Sequence, residues 1–86
     1  MATEKRTFTI SVLRENEVIY YGECNALTVP SMKDSITILP YHTPIIMKMG
    51  EGNVIMHTGR KKETLCSVKR GLLYVGDNEV TVLADL

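Results

Sequence analysis

The feature that most constrains this fold is the alternation of apolar and polar residues in short segments separated by turn residues. Phe8, Ile10 and Val12 alternate with threonine and serine, the pattern of a strand with one buried face. Similar segments recur to the end of the chain, where GLLYV and VTVLAD flank the turn sequence GDNE. No segment shows a sustained helical stripe. The pattern predicts an all-β fold, a flattened β-sandwich or barrel of about eight to ten short antiparallel strands.

Length and charge narrow the class of protein further. The 86 residues suffice for a single domain, residues 1–86, with one core. Ten Lys and Arg balance ten Asp and Glu, so the diffuse positive field of a nucleic-acid-binding protein is missing. No apolar run approaches the about 20 residues of a membrane span, and MATEKR does not resemble a secretion signal. Any partner surface is therefore expected to be local.

The second predicted strand, residues 18–24, carries the first cysteine. Strict alternation places Cys24 on the same face as Val18 and Tyr20, which predicts a small buried apolar residue. Gly22 within this strand indicates a bulge or a close backbone approach that bends the strand toward a second sheet. Cys24 and Cys66 are both expected to stay reduced.

Two prolines interrupt the segment ITILPYHTPI, residues 36–45. Neither Pro40 nor Pro44 can donate a backbone hydrogen bond, and each biases the preceding residue toward extended geometry. The segment therefore predicts two short strands joined by a rigid corner, with His42 at its tip as a turn or interface residue.

Signatures of catalysis are missing from the sequence, which has no glycine-rich phosphate loop, GxSxG, HExxH or CxxC motif. The remaining candidate ligands or nucleophile–base pairs are Cys24, His42, His57 and Cys66. Their separation does not match the local ligand pairs of structural zinc sites. We therefore predict no catalytic residue, no cofactor and no metal site.

Two further groups of residues have competing interpretations. The basic run at 60–62 could bind phosphate or acidic lipid headgroups, but three charges followed by Glu63 favour a solvated hairpin tip. Met47, Met49 and Met56 flank one turn, and core packing is favoured over an adaptable binding surface.

Four segments in a fixed order resemble one family: VIYYGEC (18–24), LTVP (27–30), ILPYHTPII (38–46) and GLLYVGDNEVTVLAD (71–85). Together they are similar to the N-terminal β-sandwich domain of the epsilon subunit of rotary F-type ATP synthases, called delta in mitochondria. The resemblance implies a non-catalytic rotor subunit of a proton- or sodium-translocating ATP synthase. Its partners would be the gamma subunit and the c-subunit ring. The resemblance also implies an indirect, peripheral association with the cytoplasmic face of the bacterial inner membrane.

The same resemblance implies candidate contact residues. In the family, the loop after the VTVP strand approaches the c ring, and the matching positions are Ser31, Met32, Lys33, Asp34 and Ser35, to which we add His42. No residue can be assigned to gamma beyond an exposed apolar face. The chain departs from the family where the glycines of this loop are replaced, and where Tyr41 and Arg70 stand in place of glycine.

The family's inhibitory behaviour resides in a C-terminal helical hairpin, which would begin where this sequence stops at Leu86. The resemblance therefore implies a domain without that helical element. Two alternatives come from other classes: a free-standing β-sandwich adaptor on the same scaffold, and a thiol or metal enzyme that uses Cys24 or Cys66 with a histidine.

Overall fold

The computed structural model describes residues 6–85, and in this range it consists of nine strands without a helix. The strands are β1 (Phe8–Arg14), β2 (Glu17–Cys24), β3 (Ala26–Pro30), β4 (Ser35–Ile38), β5 (Ile45–Met49), β6 (Gly52–Thr58), β7 (Lys61–Val68), β8 (Gly71–Gly76) and β9 (Glu79–Ala84). Over these residues, there is accordingly no helix long and apolar enough to cross a membrane. The predicted all-β sandwich is confirmed.

The strands form a five-stranded sheet, in the order β2-β1-β9-β8-β5, and a four-stranded sheet, in the order β4-β3-β6-β7. Every pairing is antiparallel except that of β1 with β9, which is parallel. The prediction of antiparallel strands is wrong for this one pair. No hairpin joins β1 to β9, since the whole chain between them separates the two strands, and turn chemistry therefore gives no constraint on their direction.

The core lies between the sheets and is built from the alternate residues that the sequence pattern selects. Phe8, Ile10 and Val12 are all at most 2% exposed, as predicted. Met49 and Met56 belong to the same buried cluster, and Met47 packs against it, which confirms core packing over a binding surface for the methionines. Among residues 6–85, no polar or charged residue is buried, so burial of apolar side chains is the dominant source of stability.

A bulge in β2 changes which face its side chains occupy. Val12 pairs with Tyr20, but Leu13 pairs with Val18, so that Ile19 is the extra residue of the bulge. Because one extra residue reverses the alternation, Val18 lies on the face opposite to Tyr20 and Cys24. The prediction that all three share a face is wrong for Val18, which is 62% exposed, whereas Cys24 is fully buried as expected.

Gly22 lies outside this bulge, in regular register with Ile10. A Cβ atom there would stand 2.9 Å from the hydroxyl oxygen of Tyr20, so the glycine makes room for the tyrosine ring. The group that comes close to Gly22 is therefore the Tyr20 side chain, and not the backbone that the sequence pattern predicts.

Asn25 marks the point where the chain leaves the five-stranded sheet. Its backbone N–H donates to the carbonyl of His57 at 2.8 Å, its Oδ1 accepts from the N–H of Gly59 at 2.6 Å, and its Nδ2 donates to the carbonyl of Arg6 at 2.9 Å. The side chain of Asn25 thus satisfies two backbone groups, one before β1 and one after β6, where regular pairing ends.

Candidate functional site

The proline corner, residues 39–44, crosses from β4 in one sheet to β5 in the other. The N–H of His42 donates to the carbonyl of Leu39 at 3.2 Å, and Tyr41 has a φ of 63°. With Pro40 at the second position and a positive φ at the third, the turn has the features of type II, which favours glycine at the position of Tyr41. Its side chain is 71% exposed, so burial does not offset the backbone cost.

His42 follows this turn and is partly buried. Its Nδ1 donates to the carbonyl of Thr43 at 2.6 Å, which orients the ring and leaves Nε2 as the other polar atom. The histidine predicted at the tip of the corner is therefore held by a local backbone contact.

The loop after β3 is closed by Ser31 and Asp34. The N–H of Ser31 donates to the carbonyl of Asp34 at 2.8 Å, and the N–H of Asp34 donates to Oγ of Ser31 at 2.9 Å. Met32 and Lys33 are exposed at the tip, and Ser35 is the first residue of β4. The hydroxyl of Ser31 thus helps to shape this loop, in which the family that the sequence resembles has glycines.

The structure brings together five of the six predicted ring-contact residues and separates the sixth. Ser31 to Ser35 lie at the start of β4, whereas His42 lies beyond its end. The N–H of Gly50 donates to the carbonyl of Pro30 at 3.2 Å, which places the loop beside the β5–β6 turn. The amide of Tyr41, next to His42, donates instead to Oδ1 of Asn78 in the β8–β9 turn. The loop and His42 therefore occupy opposite ends of the sandwich.

Cys24 and Cys66 are both free thiols, Cys24 buried and Cys66 partly buried. Burial raises the pKa of the Cys24 thiol to about 11 and also raises the pKa of Cys66, which keeps both thiols protonated at neutral pH. Nε2 of His57 lies 3.3 Å from Oγ1 of Thr28. Within residues 6–85, no three His, Cys, Asp or Glu side chains are grouped so as to hold a metal ion.

The outer face of the five-stranded sheet carries several exposed aromatic and aliphatic side chains. The register places Tyr21 opposite Ser11, Ser11 opposite Thr81, Thr81 opposite Tyr74, and Tyr74 opposite Ile46. Tyr21, Tyr74 and Ile46 are 69%, 51% and 73% exposed. The neighbouring row runs across the sheet from β2 to β5 and consists of Val18, Leu13, Leu83, Leu72 and Lys48. We refer to these two rows as the apolar outer face.

The outer face of the four-stranded sheet is polar by contrast. Oγ1 of Thr28 lies 2.9 Å from Oγ1 of Thr37, and the hydroxyl of Ser67 donates to Oδ1 of Asn53 at 2.8 Å. These side chains are hydrogen-bonded to one another across strands. Because exposed apolar surface on a small protein commonly marks a contact with another protein, the two faces suggest different roles.

The sequence contains a signal for the apolar outer face that simple alternation hides. In GLLYV and VTVLA the positions between the core residues include Leu72, Tyr74 and Leu83, where a wet strand face would carry polar residues. Strands that are apolar at successive positions indicate a sheet covered on both faces. Sequence reasoning did not assign these residues to any contact.

The Asp85 carboxylate joins three segments at the end of the sandwich where the loop of residues 31–35 lies. Oδ1 accepts from the N–H of Lys69 at 2.9 Å, and Oδ2 lies 3.0 Å from Nε of Arg14. Arg14 also donates from a terminal nitrogen to the carbonyl of Ser67 at 2.6 Å. The backbone amide of Lys69, supported by the nearby guanidinium, lowers the pKa of Asp85 below its ordinary value. The aspartate that closes the VTVLAD motif therefore links both sheets.

Sequence comparisons give a consistent result. Residues 7–86 match the family model described as the β-sandwich domain of the ATP synthase delta/epsilon chain. The chain is 34% identical over 76 residues to the ATP synthase epsilon chain of Leptospira borgpetersenii, covering 88% of this chain and 59% of that protein. It is 36% identical over 80 residues to the epsilon chain of a Janthinobacterium strain, covering 92% and 57%. The chain therefore spans rather more than half the length of these curated relatives.

Comparison with solved structures shows the same fold at lower identity. A chain in the mitochondrial ATP synthase of Euglena gracilis, solved as OSCP/F1/c-ring, superposes with a TM-score of 0.84 at 17% identity, covering 96% of this chain and 53% of that one. A chain in the central stalk and c-ring structure of the Tetrahymena thermophila enzyme gives a TM-score of 0.72 at 12% identity, with coverage of 95% and 66%. At these identities, the likeness establishes the fold.

Proposed function

This chain belongs to the family of ATP synthase delta/epsilon β-sandwich domains, and from this membership we propose that it is a non-catalytic subunit of the central stalk that couples the c ring to gamma. The observation that carries the proposal is the match of the family model to residues 7–86. The relatives with 34% and 36% identity bear the same name, ATP synthase epsilon chain. In this function the protein transmits torque through surfaces, without a reactive group.

We place the gamma contact on the apolar outer face. Tyrosine is enriched among the residues that dominate interface energetics, and Tyr21 and Tyr74 stand in one row of this face. Well-buried interface centres are depleted in charge, and this row contains none. The opposite outer face carries hydrogen-bonded threonine, serine and asparagine, which gives a partner less apolar area to bury. Contrast between the two faces therefore supports gamma binding on the five-stranded sheet.

We place the ring contact on the loop from Ser31 to Ser35. It projects from the end of the sandwich that Asp85 and Arg14 hold together, so a load on the loop reaches both sheets. Met32 is 70% exposed and Asp34 supplies an acidic group. Because His42 lies at the other end of β4, a ring contact through His42 would have to be a second, separate one.

Membership of the complex would bring the protein to the membrane indirectly. The relatives are bacterial, and the subunit would lie on the cytoplasmic face of the inner membrane, held there by gamma and the c ring. Its own contribution to ATP synthesis and ion transport would be mechanical.

The test is reconstitution of the full chain with gamma and the c ring of the same organism. We expect the wild-type protein to co-purify with both, and Tyr21→Ser combined with Tyr74→Ser to weaken gamma binding by about tenfold or more, the size typical of a hot spot. Tyr41→Ser is the control, since Tyr41 is about as exposed as Tyr21 and lies in the proline corner between β4 and β5, outside the two rows. A wild-type chain that binds neither partner, while the other subunits assemble, would favour the adaptor function instead.

A further inference from the structure

The apolar outer face has two carboxylates at one end. Thr9 pairs with Glu23 on one side and with Glu79 on the other, so the three side chains form the row next to that of Tyr21 and Tyr74. We refer to Glu23 and Glu79 as the acidic row. The charged residue at the opposite end of the face is Lys48, paired with Leu72. The face is therefore apolar in its middle and carries charges of opposite sign at its two ends.

Both carboxylates are available to a partner. Glu23 and Glu79 are both exposed. Glu23 accepts a hydrogen bond from Oγ1 of Thr7 at 2.9 Å through one of its oxygens. Since the two residues are separated by two strand spacings, their Cα atoms stand about 10 Å apart.

We propose, on the basis of the function proposed above, that the acidic row is a recognition element for lysine or arginine side chains of the gamma subunit. The complementary surface on gamma would be apolar at its centre, where it covers the tyrosine row. It would carry basic side chains along the edge that meets Glu23 and Glu79. A partner with basic side chains at this edge complements the two carboxylates, and the tyrosine row beside them carries no charge. A partner edged by carboxylates would meet like charges there.

The acidic row acts mainly on association. Exposed charges at the rim of an interface steer the encounter and are screened by salt, whereas the apolar centre governs dissociation. The two carboxylates lie about one Debye length apart at physiological ionic strength, so each can attract its own cation. The row thus favours encounters in which the basic edge of gamma approaches that end of the sheet.

The experiment measures association and dissociation rates of the full chain with purified gamma at several salt concentrations. We expect Glu23→Gln with Glu79→Gln to lower the association rate by about three- to tenfold at low salt and to flatten its salt dependence. Glutamine keeps the acceptor oxygen for Thr7, so the fold is preserved, which thermal unfolding checks. Glu51→Gln with Glu63→Gln is the matched control, since it removes two exposed carboxylates away from this face.

Charge reversal supplies the second arm. Glu23→Lys with Glu79→Lys should slow association more than the glutamine pair, because repulsion replaces attraction. If the wild type, the glutamine variant and the lysine variant share the same association rate and salt dependence, the proposed role of the acidic row is overturned. The proposed function still stands in that case, provided that the Tyr21/Tyr74 variant loses gamma binding. If wild-type chain and gamma do not associate, both proposals fail.

Discussion

The amide nitrogen of Tyr41 donates a hydrogen bond of 2.7 Å to Oδ1 of Asn78, which ties the proline corner to the β8–β9 turn. Both residues have left-handed backbones, with φ values of 63° and 58°. Asparagine tolerates this conformation, whereas most L-residues lose about 1 to 2 kcal/mol in it. Nδ2 of Asn78 also donates to the carbonyl of Thr7 at 2.9 Å. Asn78, in the turn that holds the corner, is thus a residue suited to a left-handed backbone, whereas Tyr41 in the corner itself is not.

Replacing Tyr41 should therefore stabilise the protein. We expect Tyr41→Asn and Tyr41→Gly to raise the free energy of unfolding by about 0.5 to 1 kcal/mol, the gain for glycine being reduced by the greater entropy of its unfolded chain. Tyr41→Val should lower it, since a β-branched residue fits a positive φ poorly. Urea denaturation of the wild type and the three variants measures the order of their free energies of unfolding. Loss of stability in both the glycine and the asparagine variants would show that the tyrosine ring packs more than its exposure indicates.

The Asp85 carboxylate predicts a specific pH dependence. Its pKa is lowered in the folded state, first by the hydrogen bond from the Lys69 amide and then by Arg14, so its contribution to stability is present above the ordinary pKa of 3.8 and is lost as pH falls through the lowered value. We expect Asp85→Asn to be less stable than wild type at neutral pH, with the difference shrinking in acid. Denaturation between about pH 2 and 7 tests this. Glu51→Gln, which removes an exposed carboxylate outside this network, is the control.

Two glycines of β8 should differ in their tolerance of alanine. A Cβ at Gly71 would collide with the backbone carbonyl of Leu83, whereas one at Gly76 would meet the hydroxyl end of the Tyr74 side chain at 3.0 Å. A backbone cannot move aside as a tyrosine ring can. We expect Gly71→Ala to cost about 1 to 3 kcal/mol and Gly76→Ala clearly less. Thermal unfolding of the pair tests this, and equal losses would contradict the role of the Leu83 carbonyl.

The thiols should be slow to react in the native protein. Burial raises the pKa of Cys24 to about 11, so little thiolate forms near pH 8, and Cys66 is less deeply buried. We expect alkylation of Cys66 to precede that of Cys24, and both to react rapidly in denaturant. Mass spectrometry after timed alkylation measures the order. Fast native reaction of Cys24 would revive the thiol-enzyme alternative.

Much of the fold could be predicted from local patterns, because each strand must bury alternate residues whatever its neighbours are. The inward positions of β1, the corner at Pro40 and Pro44, and the core methionines follow in this way. Val18 could not be placed, since the bulge at Ile19 exists only in relation to β1. The parallel pairing of β1 with β9 likewise depends on strands from opposite ends of the sequence.

The sequence by itself determined the all-β class, the positions of its turns and, through four ordered segments, the family to which the chain belongs. Only the tertiary structure decided which outer face is apolar, because Tyr21, Tyr74 and Ile46 come from three strands that register alone brings into one row. It also placed His42 and the loop of residues 31–35 at opposite ends of β4. The physical reason is that alternation is a local property of a strand, whereas a surface is assembled from strands distant along the chain.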